Sequence, residues 1–261
     1  MKSRDSRRPL LVFALPKVGN TTVIKALKRS GLEVERAHFL SDRHFWRALA
    51  QLEIEGDETR VQEMLSWNSR FRKRAVHGFE GQGCDVVTLV RDPLARTVSY
   101  FFESTTMKDS RLRREWDEGR LGVEAIVERF MARDDHFAPL SWFEDELLTV
   151  FSIDVYADPF PRECGYRIYR HDRNRVLLIR LEDLSRCGPG ALGELLGLEG
   201  VDLPAENVRA RSETGDLYRT VLRELCLPRE NVDRMYGSRM ARHFYSAAEL
   251  DSFRRRWRVL A

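Results

Sequence analysis

The strongest constraint on the fold of this chain is an apolar run, Leu10 to Leu15, that leads directly into a short loop and a helical pattern. Six consecutive apolar residues predict a strand that is buried on both faces, as in a sheet with helices on both sides. Pro16 ends the strand, and Lys17 to Asn20 form a tight loop in which Gly19 lets the backbone approach a ligand closely. A helix follows from Thr21, so this unit aims backbone N–H groups and a helix dipole at an anion.

The loop differs from a Walker A loop, in which the Lys comes after the last Gly. Here Lys17 precedes Gly19, and Asn20 stands where the Walker Lys would be. The pattern resembles instead the 5′-phosphosulfate loop of sulfotransferases that use 3′-phosphoadenosine 5′-phosphosulfate (PAPS). This resemblance implies that the loop binds PAPS through Pro16, Lys17, Val18, Gly19, Asn20, Thr21 and Thr22. The alternative is an ordinary strand, turn and helix in which the Lys occurs by chance.

Length and composition favour one globular α/β domain over residues 1–261, with a flexible basic segment at 1–9. A net charge of +3 gives no reason to expect a nucleic-acid partner. The four cysteines form no C-x-x-C pair, which argues against a zinc site or a disulfide framework. No apolar stretch approaches the ~20 residues that a membrane span needs. We therefore expect a cytoplasmic protein without a membrane span.

Strand and helix patterns alternate along the chain. Further strands are predicted at 32–39, 85–90, 166–170 and 176–181. Helices are predicted at 42–54, 58–73, 92–102, 141–151 and 190–198, and the chain is mostly helical from residue 213 onward. Helix caps are predicted at Ser41, at Asp57, at Asp92 before Pro93, and in two capping boxes, Ser141 with Glu144 and Ser246 with Glu249. This alternation predicts an α/β fold with a central parallel sheet flanked by helices and a helical C-terminal part.

A second motif follows the predicted strand at 85–90. Arg91 stands at the carboxyl end of that strand, where α/β proteins bind ligands. Ser99 lies about two helical turns further on, so a guanidinium fork and a hydroxyl can converge on one phosphate. The pattern Arg-Asp-Pro-x-x-Arg-x-x-Ser resembles the 3′-phosphate motif of PAPS sulfotransferases, which implies that Arg91 and Ser99 bind PAPS. The alternative is an ion-pairing Arg and a Ser on a helix surface.

The two motifs come in the order found in PAPS-dependent sulfotransferases, and a third stretch, residues 176–184, resembles a strand and Glu-Asp-Leu turn of that family. Within it the chain is most similar to bacterial capsular polysaccharide synthesis proteins, through stretches around residues 38–41, 142–147, 151–156 and 235–245. The resemblance implies a P-loop-like fold and transfer of a sulfuryl group from PAPS to a hydroxyl, on a carbohydrate or polysaccharide acceptor. The product is 3′-phosphoadenosine 5′-phosphate (PAP).

Three residues are candidates for the chemistry. Lys17 is placed to stabilise and protonate the departing oxygen of PAP, because the resemblance sets it beside that atom. His38 and His77 are candidates for the base, since imidazole titrates near neutral pH. We favour His38, which ends the second predicted strand, 21 residues after Lys17. No metal-ligand cluster is evident, and no metal is expected.

Two other functions fit parts of the sequence. A nucleotide-dependent kinase with a degenerate P-loop is disfavoured by the absence of the Walker Lys. A non-catalytic PAP-binding protein is disfavoured by the presence of both Lys17 and a plausible base.

Overall fold

The computed structural model describes residues 8–54, 56–77, 81–106, 114–116, 118–133, 136–203 and 215–260. The chain forms two compact units. The first unit comprises Met1–Val90 and Ser141–Pro204, and the second comprises Arg91–Leu140 and Ala205–Ala261. Most of the basic segment predicted to be flexible at 1–9 lies outside the described residues.

The strands and helices follow one another in chain order. The strands are β1 Leu10–Phe13, β2 Glu35–Ala37, β3 Asp85–Val90, β4 Tyr166–His171, β5 Asn174–Arg180, β6 Cys226–Pro228 and β7 Arg258–Leu260. The α-helices are α1 Asn20–Arg29, α2 Asp42–Ile54, α3 Glu58–Trp67, α4 Lys73–Val76, α5 Pro93–Thr106, α6 Val123–Met131, α7 Thr149–Phe151, α8 Leu184–Leu196, α9 Gly215–Glu224, α10 Arg229–Tyr236, α11 Arg239–Phe244 and α12 Ala247–Arg254. Two π-helical turns, Asn68–Arg72 and Phe143–Leu148, and two short 3-10 segments, Ala138–Ser141 and Leu181–Asp183, complete the description.

The first unit is built around a five-stranded sheet of order β2-β1-β3-β5-β4. Strand β1 lies between β2 and β3, since Leu11 pairs in parallel with Glu35 of β2 and with Val86 of β3. Strand β5 extends the parallel ladder, but β4 pairs antiparallel to β5 at the sheet edge. The prediction of a wholly parallel sheet is therefore wrong at this edge. Only two residues separate β4 from β5, and so short a turn joins antiparallel strands.

Burial explains why the central strands form. All residues of β1 and β3 are buried, and the Val176–Ile179 stretch of β5 is fully inaccessible. Such strands, covered on both faces, read in the sequence as continuous apolar runs, as the analysis of Leu10 to Leu15 predicted. A mixed α/β fold with a central, mostly parallel sheet flanked by helices is thus confirmed. No helix among the described ranges is both long and apolar enough to cross a lipid bilayer.

The predicted helix caps meet different outcomes. Asp57 caps α3 by accepting the Arg60 N–H at 3.1 Å, and the Ser246–Glu249 capping box is present on α12. The helix predicted to begin at Ser141 begins earlier, at Ala138, as a 3-10 turn, and the Ser141 hydroxyl donates to Asp145 at 2.7 Å. Ser41 was also predicted to be a cap, but its hydroxyl donates to the buried carboxylate of Glu146.

Within the second unit, a buried carboxylate fixes the start of α5. Asp92 accepts the N–H groups of Leu94 and Ala95, as an N-terminal cap does. The Tyr236 hydroxyl donates to the same carboxylate oxygen at 3.1 Å and accepts the Trp257 Nε1–H at 2.8 Å. Burial raises the pKa of both Asp92 and Tyr236. The first turn of α5, the helix that carries Ser99, is therefore fixed to the end of α10.

Candidate functional site

The loop after β1 has an unusual backbone conformation. The backbone of Lys17 is left-handed, with φ 73°, and that of Gly19 has φ 101°. A left-handed backbone is uncommon for a residue with a side chain, and such strain is found preferentially at functional sites. The loop therefore turns sharply between the end of β1 and the first residue of α1.

Asn20 braces this turn. Its side chain is buried, and its Nδ2 donates to the carbonyl of Leu15 at 3.0 Å and to that of Ala14 at 3.4 Å. The two contacts tie the first residue of α1 to the end of β1. The side chain of Asn20 thus fixes the shape of the loop. A contact of Asn20 with an anion would therefore be made by its backbone N–H.

The start of α1 suits an anion. Gly19 is the N-terminal cap, no side chain caps the helix, and its first turn contains no acidic residue. The N–H groups of Thr22 and Val23 donate to the Gly19 carbonyl at 3.1 and 3.3 Å. The N–H groups before them have no carbonyl in a preceding turn of the helix. Together with the helix dipole they favour negative charge at this point, next to the exposed Thr21 and half-buried Lys17.

Gly19 is also held by close packing. A Cβ atom added there would lie 2.6 Å from Leu181 Cδ1 and 3.5 Å from Leu89 Cδ2. The loop therefore packs on the end of β3 and on the turn that follows β5.

We expect Gly19→Ala to lower the free energy of unfolding by about 2–3 kcal/mol, because the change adds a close contact to an unfavourable φ. Urea denaturation measures the loss. Gly31→Ala is the matched control, since Gly31 has φ 75° but nothing within 4 Å of an added Cβ. The control should lose only ~1 kcal/mol, the backbone cost alone. Equal losses in the two variants would show that the contact with Leu181 carries no energy.

The sheet order puts this loop at a point where α/β proteins bind ligands. From β1 the chain passes to β2 on one side, and it later returns to β3 on the other side of β1. Ligands of open α/β sheets lie outside the carboxyl ends of the strands at such a reversal. Lys17 and Gly19 follow the carboxyl end of β1, and Arg91 directly follows β3.

Arg91 and Ser99 both belong to the second unit. Arg91 is half-buried and precedes the first turn of α5. Ser99 lies in the second turn of that helix with only 2% of its surface exposed. The predicted strand, capped helix and spacing around these two residues are therefore present in the structure.

His38 is tied to the strand that precedes the loop. It follows β2 directly, and its Nδ1 lies 2.6 Å from the carbonyl oxygen of Ala14, the residue after β1. A carbonyl only accepts hydrogen bonds, so Nδ1 carries the proton and the neutral ring has its lone pair on Nε2. His38 is half-buried, and its own carbonyl accepts the Trp142 Nε1–H at 2.9 Å.

His77 has a different environment. It ends α4, where it is exposed and donates its backbone N–H to the Lys73 carbonyl. Residues 78–80, which follow it, lie outside the described part of the chain. Gly81 then accepts a hydrogen bond from Arg173, the residue before β5, so the chain after His77 leads to the amino edge of the sheet. His38, in contrast, is hydrogen-bonded at the carboxyl edge.

A buried glutamate behind His38 was missed by the sequence analysis. Glu146 has no exposed surface and accepts hydrogen bonds from Leu40 and Ser41, which follow His38. It lies on the same helical face as Phe143 and Leu147, which are also buried. An acidic residue on an apolar stripe is the signal that could have identified it.

Within the described ranges, no three His, Cys, Asp or Glu side chains are grouped so that they could hold a metal ion. Among the described residues of the first unit, the candidate site therefore consists of the loop after β1 with Lys17, and of His38, along the carboxyl edge of the sheet.

The comparison with protein families gives one match, and it covers the middle and later part of the chain. No curated protein and no solved structure matches the chain. Residues 126–246 match the model of the family NKWYS, described as "Putative capsular polysaccharide synthesis protein".

Proposed function

We propose that this protein is a sulfotransferase that moves a sulfuryl group from PAPS to a hydroxyl of a glycan acceptor. The observation that carries the proposal is the loop after β1. It combines a left-handed Lys17, a Gly19 with φ 101° against which Leu181 packs, and a helix start without a side-chain cap or an acidic residue. This is an anion-binding site with one cation built into its turn.

The two sequence motifs assign residues to the two phosphates of the donor. The N–H groups at the start of α1, with the Thr21 and Thr22 hydroxyls, would hold the 5′-phosphate, and Arg91 and Ser99 would hold the 3′-phosphate. The bound donor supplies the sulfuryl group and leaves as PAP. Lys17 stabilises the negative charge that develops on the departing oxygen. Nε2 of His38 accepts the proton of the acceptor hydroxyl as that oxygen forms its new bond to sulfur.

The glycan acceptor rests on the family match over residues 126–246. Capsular polysaccharides are rich in hydroxyl groups, which are acceptors for this chemistry. Incubation with ³⁵S-labelled PAPS and a panel of polysaccharides, lipids and small metabolites tests the acceptor class. Label that enters a metabolite or lipid but no polysaccharide would contradict the glycan part of the proposal.

The donor is tested by ligand-induced stabilisation. We expect PAP at about 100 times its dissociation constant to add ~2.7 kcal/mol of stability, and ATP at the same concentration to add much less. The reason is that ATP has no 3′-phosphate for Arg91 and Ser99. A thermal shift assay measures both ligands, and Arg91→Ala should weaken PAP binding by about 10- to 100-fold, as expected for loss of a charge-assisted hydrogen bond.

Arg186→Ala is the matched control for that experiment. Arg186 is exposed and pairs with Asp183 on the surface, so its loss should leave PAP binding unchanged. Equal shifts with PAP and ATP would contradict the proposal and favour a nucleotide-dependent kinase.

A further inference from the structure

Two residues of one helical segment hold the turn that carries His38. The turn consists of residues 38–41, and the segment that holds it runs from Trp142 to Glu146. Trp142 donates its Nε1–H to the His38 carbonyl at 2.9 Å. Glu146 Oε2 accepts the N–H groups of Leu40 at 2.7 Å and Ser41 at 2.9 Å. Every one of these contacts lies within the first unit.

Glu146 uses its second oxygen as well. Oε1 accepts the Ser41 hydroxyl at 2.7 Å and lies 2.8 Å from Nδ1 of His44. A fully buried carboxylate that accepts three hydrogen bonds and lies against an imidazole is satisfied, and removing it would leave three donors without that acceptor. The carboxylate is therefore a fixed point of the structure and not a solvated charge.

Ser41, His44 and Glu146 do not form a catalytic triad. In a triad the imidazole uses one nitrogen for the serine and the other for the carboxylate. Here Nδ1 of His44 lies 3.1 Å from Ser41 Oγ and 2.8 Å from Glu146, so both contacts fall on the same nitrogen. Ser41 is also buried, and its hydroxyl already donates to Glu146. The cluster holds structure and carries no nucleophile.

The backbone of a π-helix supports this arrangement. Trp142 precedes the π-helical turn Phe143–Leu148, and Glu146 lies inside it. Single π-helical turns within helices are frequent at functional sites, because they redirect side chains away from the regular α-helical spacing. Trp142 and Glu146 are both buried, so the two side chains that bond to the 38–41 turn are themselves held in place by packing.

We infer that Glu146 is a positioning residue for His38. With Trp142, its carboxylate fixes the 38–41 turn, so that His38 keeps Nδ1 on the Ala14 carbonyl and presents its lone pair on Nε2. This inference rests on the proposed role of His38 as the base. Its physical basis is that small displacements of a catalytic group lower turnover strongly, whereas they change donor binding little.

The inference also links the family match to the candidate site. Trp142 and Glu146 lie within residues 126–246, but the loop and His38 lie outside that range. Through the hydrogen bonds of Trp142 and Glu146 to the 38–41 turn, which we call the clamp, the matched region therefore helps to position the candidate base.

The test replaces Glu146 in two steps. Glu146→Gln keeps the shape but puts an amide N–H₂ where the carboxylate has one of its two acceptor oxygens, and Glu146→Ala removes both. We expect turnover to fall about 10-fold in Glu146→Gln and about 100-fold in Glu146→Ala, with PAP affinity within about twofold of the wild type.

A second readout does not depend on activity. Long-range ¹⁵N–¹H spectra report the tautomer of each histidine, and the His38 signals are those lost in His38→Ala. The wild type should show His38 protonated on Nδ1, and Glu146→Gln should show a mixture of tautomers. Asp85→Asn is the matched control, because Asp85 is equally buried and bonded to Arg8 and Arg175 at the amino edge of the sheet. It should lower stability without changing the His38 signals or turnover.

The final arm combines Glu146→Gln with His38→Ala. If Glu146 acts through His38, the double variant is no slower than His38→Ala alone. Three results would each overturn the inference. The first is that Glu146→Gln leaves the His38 signals and turnover unchanged. The second is a double variant in which the turnover losses of the two single variants add, and the third is an equal loss of turnover in Asp85→Asn. If Glu146→Gln alters the His38 tautomer but His38→Ala keeps full turnover, the clamp exists and the proposed base is wrong. The two failures are thus distinguishable.

Discussion

His38→Ala is expected to fold, to bind PAP like the wild type and to lose at least about 100-fold in turnover, the low end for general-base catalysis. The expectation comes from the position of the ring. Nδ1 is held 2.6 Å from the carbonyl oxygen of Ala14, three residues before Lys17 in the chain. A ring fixed in this tautomer can accept a proton on Nε2 without rearranging.

The same structure explains why binding should be spared. His38 does not belong to the loop or to α1, whose N–H groups are the proposed phosphate ligands. A group that acts only as the acceptor loses its proton changes the rate of transfer and not the affinity for the donor.

His77→Ala is the control for this prediction. His77 is exposed at the end of α4, and we expect the variant to retain turnover within about twofold. Both variants are first compared by circular dichroism and by titration with PAP, and their rates are then measured with saturating PAPS. An inactive His77→Ala beside an active His38→Ala would reverse the assignment, and two active variants would exclude both residues as the base.

Features encoded in local patterns could be predicted from the sequence. The run Leu10 to Leu15 predicted the buried strand β1, and the strand at 85–90 and the helix at 42–54 have the predicted bounds. Asp57 and Asp92 were correctly predicted to cap helices. Each of these depends on residues within a few positions of one another.

Features that depend on distant residues could not be predicted. Glu146 and Ser41 are 105 residues apart, and nothing in either stretch indicates that they meet. The cap predicted at Ser41 competes with this contact, and the buried carboxylate takes the hydroxyl. The antiparallel edge was missed for a related reason: the pattern of β4 gives its strand character but not the direction of its partner.

Lys17→Ala should reduce turnover more strongly than any other single change on the loop, by about 100- to 1,000-fold, the range for loss of one group that stabilises a developing negative charge. PAP affinity should fall by less than about 10-fold, because the backbone N–H groups and the start of α1 still hold the phosphate. The division between rate and affinity identifies an interaction made mainly in the transition state.

The structure supports this expectation through the backbone of the loop. The left-handed conformation at Lys17, with φ 73°, belongs to the turn that leads to Gly19, so the ammonium group is carried by the loop that we propose to bind the anion. Alanine at this position has the same backbone preferences as lysine, so the variant removes the charge without relieving the strain. The loss therefore reports on the side chain.

Single-turnover rates with labelled PAPS, and PAP dissociation constants from calorimetry, separate the two effects for Lys17→Ala. Lys25→Ala is the matched control, since it removes one positive charge from the exposed face of α1, away from the loop, and should change neither quantity. Lys17→Arg keeps the charge and should recover part of the rate. A Lys17→Ala variant with near-normal turnover and weak PAP binding would make Lys17 a ground-state ligand, and the departing oxygen would then need its positive charge from another residue.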